Sequence, residues 1–141
     1  MAISTRTLKD SVLETGSGAQ GGKVTVLVNM NDDTATDSAI LDASGLSGHA
    51  NGAKLDITRI WWGLVQGTAD DNTGWASIIF EGDSDVTAIN LAGTGHYDGT
   101  AGKITNSATN AGATSGDINL SAYGVSGFVM IELRKDSNFT A

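Results

Sequence analysis

The two histidines are the residues of this chain best suited to metal or acid–base chemistry. His49 and His96 each lie in a glycine-rich stretch, and Asp98 follows His96 by two positions. Two imidazoles and a carboxylate can hold iron or zinc, and on a β-barrel such a site would suit a lyase or hydrolase. The spacing matches no metal motif, because His96 and Asp98 form the only close pair. We therefore favour exposed loop histidines and expect no catalytic residue, metal or cofactor.

An acidic run raises the alternative of a calcium site. Residues 81–85 place Glu81, Asp83 and Asp85 on alternate positions, and calcium prefers several oxygen ligands at such spacing. The run lacks the closing bidentate glutamate of an EF-hand and lies between predicted strands. We favour a solvated turn here, because aspartate is a common turn residue.

Three tryptophans raise the alternative of a carbohydrate site. Trp61, Trp62 and Trp75 could stack on a sugar, and Glu81 and Glu132 could serve as the paired carboxylates of a glycosidase. Tryptophans in the strands of an all-β domain are more often core residues, which is the interpretation we favour. The carbohydrate hypothesis predicts that at least one of these indoles is exposed beside a groove.

The composition excludes several function classes. The chain has 141 residues, with 16 acidic and 8 basic side chains and a net charge of −8. Such an acidic chain is poorly suited to non-specific binding of nucleic acid or anionic membranes. It has no cysteine, no nucleophile elbow and no phosphate-binding loop, and no apolar run approaches the roughly 20 residues of a membrane span. We expect a protein that is not an enzyme and has no nucleic-acid or membrane partner.

Alternating apolar residues predict that β-strands position all of these side chains. No segment keeps a helical period, and about seven short strands are separated by Gly, Asp and Asn turns. This pattern predicts an all-β fold, an antiparallel β-sandwich with a jelly roll as its leading form. A turn at 31–33 closes the first strand, 54–80 forms a long hairpin, and 92–116 is a long loop. The predicted strands are 23–30, 54–66, 75–80, 86–91, 117–121 and 125–135, with a further candidate at 34–43.

The apolar residues change face within the strand at 54–66. Leu55 and Ile57 share one parity, whereas Ile60, Trp62 and Leu64 share the other. Because side chains alternate along a strand, either a bulge at 59–60 flips the strand or its later half is buried on both faces.

The first 22 residues differ in composition from the rest. Residues 1–14 are polar and mixed, and 15–22 are rich in glycine and serine, as in a flexible linker. We therefore predict an extended N-terminal arm over 1–22 and a single β-sandwich domain over 23–141. The arm is either a frayed terminus or a segment that orders against a partner.

Two predicted strands are apolar on both faces. Phe128 and Met130 lie opposite Val129, and Trp62 lies opposite Trp61. Such strands need a second cover besides the core, which is either a subunit interface or a long loop such as 92–116. The candidate interface residues, from the arm and from these strands, are Thr5, Arg6, Thr7, Leu8, Lys9, Trp62, Phe128 and Met130.

An ordered series of segments resembles a known protein family. The segments are TRTLKD at 5–10, ITRIWW at 57–62, DVTAINLAG at 85–93, GHYD at 95–98, NAGATSGDI at 110–118 and IELRK at 131–135. In this series, which spans most of the chain, the protein resembles small structural proteins of tailed bacteriophages, many of them marine, that are encoded beside the major capsid protein. The sequence departs from the family at 70–75, where its loop is longer.

The resemblance implies a non-enzymatic virion protein. It suggests a head decoration or cement protein, made in the bacterial host cytoplasm, that docks on the outer capsid surface and stabilises the shell by bridging major capsid protein subunits. It also implies a homo-oligomer, with a trimer favoured, and no catalytic residues. The alternatives are a virion-displayed carbohydrate-binding β-sandwich module and a tail or connector structural protein.

Overall fold

A computed structural model describes residues 3–11, 22–67, 74–109, 116–136 and 138–139. Within these ranges the secondary structure is almost entirely β, as predicted, with one short 3₁₀ helix at Ala43–Gly45. No helix in these ranges is long and apolar enough to cross a membrane. The strands are β1 (Ser4–Asp10), β2 (Lys23–Leu41), β3 (Leu55–Gln66), β4 (Trp75–Phe80), β5 (Val86–Ala92), β6 (Thr94–Tyr97) and β7 (Ile118–Lys135).

All seven strands belong to one antiparallel sheet, with β7 at its centre. One edge of β7 pairs with β2 along most of its length. Because β7 has 18 residues, its other edge pairs first with β4 and then with β3. The sheet therefore has two parts, with β1 and β6 at the ends of one and β5 at the end of the other.

The predicted hairpin over 54–80 is wrong. β3 and β4 are not paired with each other, since each pairs with a different half of β7. The amides of Gly67 and Gly74 donate to the carbonyls of Gly124 and Tyr123, both at 2.7 Å. The end of β3 and the start of β4 thus both lie beside the middle of β7. Both strands pair with β7, and they do not pair with each other.

Two strands continue through predicted breaks. β2 runs past 31–33 to Leu41, and β7 is continuous from Ile118. The predicted turn at 31–33 is instead an irregularity within β2: Asp32 has a φ of 52° and the register with β7 shifts between Met30 and Asp33. β6 lies inside the predicted loop at 92–116, of which 110–115 fall outside the described residues.

The change of face in β3 comes from a bulge, which was one of the two predicted alternatives. The register with β7 shifts between Ile57 and Arg59, one position before the predicted site. The hydroxyl of Thr58, the extra residue, donates to the backbone carbonyl of Glu132 and to its carboxylate, each at 3.0 Å. An extra residue reverses the alternation of a strand. Leu55 and Ile57 before the bulge, and Ile60 and Leu64 after it, are therefore all buried on the core face.

The core is a single apolar cluster built from one face of the sheet. Every second residue of β2 from Val24 to Val28 is buried, and the facing residues of β7 alternate in the same way. Full burial of an aliphatic side chain contributes about 1.5–3 kcal/mol, so this alternation fixes the register of the central strands. The largest fully buried apolar side chains are Leu55, Ile57, Ile60, Ile78, Phe80, Leu91, Ile118, Leu120, Ile131, Leu133 and Phe139.

Candidate functional site

The predicted arm residues form most of β1, an edge strand of the sheet. Every residue of β1 is exposed, including those on the core side of the sheet. Among the described strands β1 pairs only with β2, so its other backbone edge is open. A bulge interrupts the pairing at Leu8, whose side chain is 48% exposed. From Ser4 to Lys9, β1 is therefore held by backbone hydrogen bonds and leaves its side chains available. Its five candidate residues are Thr5, Arg6, Thr7, Leu8 and Lys9.

One polar cluster fixes the end of β1 to the body of the protein. The ammonium group of Lys135 at the end of β7 is completely buried and forms an ion pair with Asp10. Lys135 also donates to the carbonyl of Ser47 at 2.8 Å and lies 5.6 Å from the ring centroid of Phe139. Asp10 accepts a further hydrogen bond from the amide of Ser47 at 2.9 Å.

The pKa of Asp10 reflects this cluster. Partial burial raises the pKa of its carboxyl group, but the hydrogen bonds from Lys135 and Ser47 and the charge of Lys135 outweigh that effect. The pKa of Asp10 therefore lies below its ordinary value of 3.8. A carboxylate stabilised in its charged form in this way supports the folded position of β1 at neutral pH.

A row of large side chains crosses five strands on the sheet face opposite the core. Register pairs Arg6 of β1 with Leu27 of β2, Leu27 with Met130 of β7, Met130 with Trp61 of β3, and Trp61 with His96 of β6. The rings of Trp61 and His96 stack with centroids 5.4 Å apart and an interplanar angle of 11°. Leu27, Met130 and Trp61 are half-buried, and Arg6 and His96 are exposed.

Phe128 extends this row into an apolar surface. It pairs with Gly63 of β3, and a Cβ atom at Gly63 would lie 3.1 Å from the Phe128 ring. The ring therefore lies over the glycine backbone, yet Phe128 remains 37% exposed. We call the five residues Leu27, Trp61, His96, Phe128 and Met130 the outer patch.

Trp62 faces away from the outer patch. It lies on the same side of β3 as Ile60, its indole N–H donates to the carbonyl of Ala92 at 3.0 Å, and a Cβ at Gly95 would come within 2.4 Å of its ring. Of the predicted strand residues, the structure thus brings Phe128 and Met130 together and adds Trp61, which sequence reasoning did not select. The signal was the change of parity in β3, because a bulge before residue 60 assigns Trp62 to the core side.

The outer patch is bordered by basic side chains. Five of the eight lysines and arginines occupy register positions on this face. Three carboxylates also lie here: Glu132 is 3.6 Å from the ammonium group of Lys23, Asp56 is buried and paired with Lys103 at 2.9 Å, and the exposed Asp98 interacts electrostatically with His96. This face is therefore locally basic on a chain of net charge −8. The five are Arg6, Lys9, Lys23, Arg59 and Arg134.

Three carboxylates, those of Asp42, Glu81 and Asp117, lie where β2 and β4 end and β7 begins. Asp117 accepts a hydrogen bond from the amide of Ala43 at 2.8 Å. Burial raises the pKa of Asp117 from 3.8 to about 6; the Ala43 hydrogen bond opposes this rise, and the charges of Asp42 and Glu81 add to it. The folded protein therefore holds the proton of Asp117 more tightly than an exposed aspartate would.

The remaining chemical candidates are dispersed. His96 stacks on Trp61, whereas the ring of His49 contacts that of Phe139 at 5.7 Å. In the portion of the chain that the structure describes, no three His, Asp or Glu side chains group as metal ligands, and no pocket is found. In the acidic run 81–85, the carboxylate of Asp85 accepts from the amide of Gly82 at 3.2 Å, as in a turn.

Comparison with protein-family models, with curated proteins and with solved structures finds no match for this chain.

Proposed function

We propose that this chain is a non-enzymatic structural protein that docks on the outer surface of a tailed-phage head. There it would bridge major capsid protein subunits and stabilise the shell. The observation that carries the proposal is β1, whose residues are all exposed and which, among the described strands, pairs with β2 alone. The resemblance of the sequence to small phage structural proteins supports the same role.

An open strand edge suits attachment to a protein lattice. A partner segment can add to such an edge through main-chain hydrogen bonds, and side chains such as Leu8 then supply the specificity. Each contact can be weak, because several contacts on a fixed lattice raise the effective concentration. Binding only to the assembled shell stabilises that shell by mass action.

We also propose that the sheet closes on itself as a jelly-roll-like sandwich. Support comes from the single apolar core, which draws buried residues from both parts of the sheet, such as Val26 and Leu133 from one and Ile78 and Leu91 from the other. Strands β3 and β5 also approach each other without pairing.

The carbohydrate-binding alternative has less support from the tryptophans. Trp61 stacks on His96, and Trp75 stacks on Tyr123 with centroids 4.1 Å apart, so one face of each indole is already covered. Trp62 lies against the backbone of Gly95. The carbohydrate hypothesis needs an indole exposed beside a groove, whereas all three indoles are half-buried against a neighbouring ring or backbone; this favours the structural role.

The test is co-sedimentation of the purified chain with heads of the phage that encodes it. We expect saturable binding and a higher temperature of head disruption. Leu8→Asp should weaken binding at least tenfold, because it places a charge on the docking edge. The matched control is Val65→Asp, which changes another exposed apolar strand residue (63% exposed) outside β1 and should bind as the unmodified chain does. No binding of the unmodified chain, or equal binding of the Leu8→Asp variant, would refute the proposal.

A further inference from the structure

The charges of the chain are segregated between the two parts of its sheet. Five basic residues border the outer patch, as described above. By contrast, the sequence from Ile60 to Gly102 contains no lysine or arginine, and this stretch includes all of β4 and β5. The molecule therefore presents a basic apolar surface on one side and an acidic surface elsewhere.

The acidic surface adjoins an open strand. Asp83 and Asp85 are exposed in the bend that precedes β5, and Glu81 is half-buried beside them. Among the described strands β5 pairs only with β4, and its residues Val86 and Ile89 remain half-exposed. We call Glu81, Asp83, Asp85 and strand β5 the acidic edge. It combines exposed carboxylates with the partly buried apolar side chains of β5, which also pack against the core.

We propose that the outer patch of one copy binds the acidic edge of a second copy, head to tail. The basic border would face carboxylates, and the apolar patch residues would contact the side chains of β5. Contact between two outer patches is disfavoured, because it would bring like charges such as Arg59 and Arg134 of the two copies together. This inference does not depend on docking to a phage head.

A head-to-tail contact has a geometric consequence. The two surfaces differ, so each copy in a pair keeps one unused surface of each kind for the next copy. Such a heterologous interface closes as a ring or continues as an open chain. A variant that has lost one surface can therefore still bind a variant that has lost only the other.

The experiment is size-exclusion chromatography with light scattering on the full chain at tens of micromolar. We expect the unmodified chain to exceed its monomer mass of 14.4 kDa, and to shift towards that mass in 0.5 M NaCl because charge pairs are screened. Arg59→Glu should abolish association through the patch, and Asp83→Lys through the edge. The control is Thr36→Glu, which adds a carboxylate at an exposed position outside both surfaces and should leave the mass unchanged.

Two mixing results separate this arrangement from others. An equimolar mixture of the Arg59→Glu and Asp83→Lys chains should exceed the monomer mass although neither chain does so alone, since the native contact between the patch of the second and the edge of the first remains available. A chain carrying both substitutions should regain self-association, because the opposite charges are restored in reverse. A monomeric unmodified chain, single variants with unchanged mass, or no complementation in the mixture would overturn the proposal. These outcomes are separate from head binding, which the Leu8→Asp comparison tests.

Discussion

Asp10 is the residue at which we expect the smallest chemical change to have the largest effect on β1. Asp10→Asn keeps the size of the side chain and its carbonyl oxygen but removes its charge. The buried ammonium group of Lys135 then loses its counter-charge and is left with neutral partners, among them the carbonyl of Ser47 and the ring of Phe139. The substitution therefore tests whether one ion pair positions the docking strand.

The expected cost follows from the burial of the two partners. Removing one partner of a fully buried ion pair costs about 3–5 kcal/mol. Here Lys135 is fully buried but the side chain of Asp10 is 23% exposed, and an asparagine oxygen can still accept a hydrogen bond. We therefore expect Asp10→Asn to lower the free energy of unfolding by about 2–3 kcal/mol at pH 7.

The assay is urea unfolding at a series of pH values, with hydrogen exchange of the β1 amides as a second readout. The lowered pKa of Asp10 means that its contribution is present above pH 3.8 and is lost as the pH falls through its folded-state pKa. The difference between the two chains should shrink accordingly below pH 3.8. The β1 amides should exchange faster in the variant at pH 7, because the strand has little side-chain burial to retain it.

Lys135→Met supplies the control for this reasoning. In the Asp10→Asn background it removes the unpaired buried charge, so the double variant should recover most of the lost stability. If Asp10→Asn lies within 0.5 kcal/mol of the unmodified chain at pH 7, or if adding Lys135→Met makes the loss larger, the ion pair does not hold β1 as we argue.

Three further predictions concern the interior of the sheet. Asp117→Asn should raise the free energy of unfolding by about 1–2 kcal/mol at pH 8, allowing for solvent screening, and by little at pH 4. The pKa of Asp117 is raised from 3.8 to about 6, so its protonated form stabilises the fold and this contribution is lost as the pH rises. Urea unfolding at both pH values checks the sign. Gly127→Ala should cost about 3 kcal/mol or more in a thermal melt, since its φ is +129° and a Cβ would lie 1.9 Å from the carbonyl oxygen of Gly63, whereas Gly102→Ala, with φ +113° and open space, should cost about 1 kcal/mol. Trp62→Phe should cost about 0.5–1 kcal/mol, because it removes the solvent-exposed hydrogen bond from the indole to the carbonyl of Ala92; an unchanged midpoint in urea would contradict this.

The local alternation of the strands could be predicted from sequence, and their pairing could not. The apolar residues of β2 and β7 indicated which faces form the core, because a period of two survives in any antiparallel arrangement. The pairing partner of β4 carries no such signal. A hairpin with β3 was the simplest expectation, and the unusual length of β7 made a different arrangement available.

Glycines inside β7 explain part of this failure. Gly124 and Gly127 both have positive φ, and at Gly127 the backbone of β3 approaches too closely for any side chain. Gly124 falls in the break between the strands predicted at 117–121 and 125–135, and Gly127 lies within the second of them. In the structure they let one strand change direction while it continues to pair, a role that glycine has in bulges and bends.

The candidate surface was predictable only in part for a related reason. Phe128 and Met130 were identified because they alternate with buried residues of β7, and this argument needs no knowledge of the neighbouring strand. Trp61 was missed because its position depends on the bulge at Thr58. A single extra residue exchanges Trp61 and Trp62 between the two faces, so the outer patch could be completed only once the register was known.

Asp10→Asn and Leu8→Asp test two different roles of β1. The first tests what holds the strand on the sheet, and the second tests whether the strand binds a partner. Asp10 lies at the end of β1 and determines whether the strand stays on the sheet, whereas Leu8 lies at its bulge with its side chain 48% exposed. If β1 docks on a partner, Asp10→Asn should weaken binding only as far as it releases the strand, and conditions that restore the β1 amides to slow exchange should restore binding. Leu8→Asp should weaken binding while the exchange of those amides stays unchanged. A strand that served stability alone would give the opposite pattern, with binding indifferent to both.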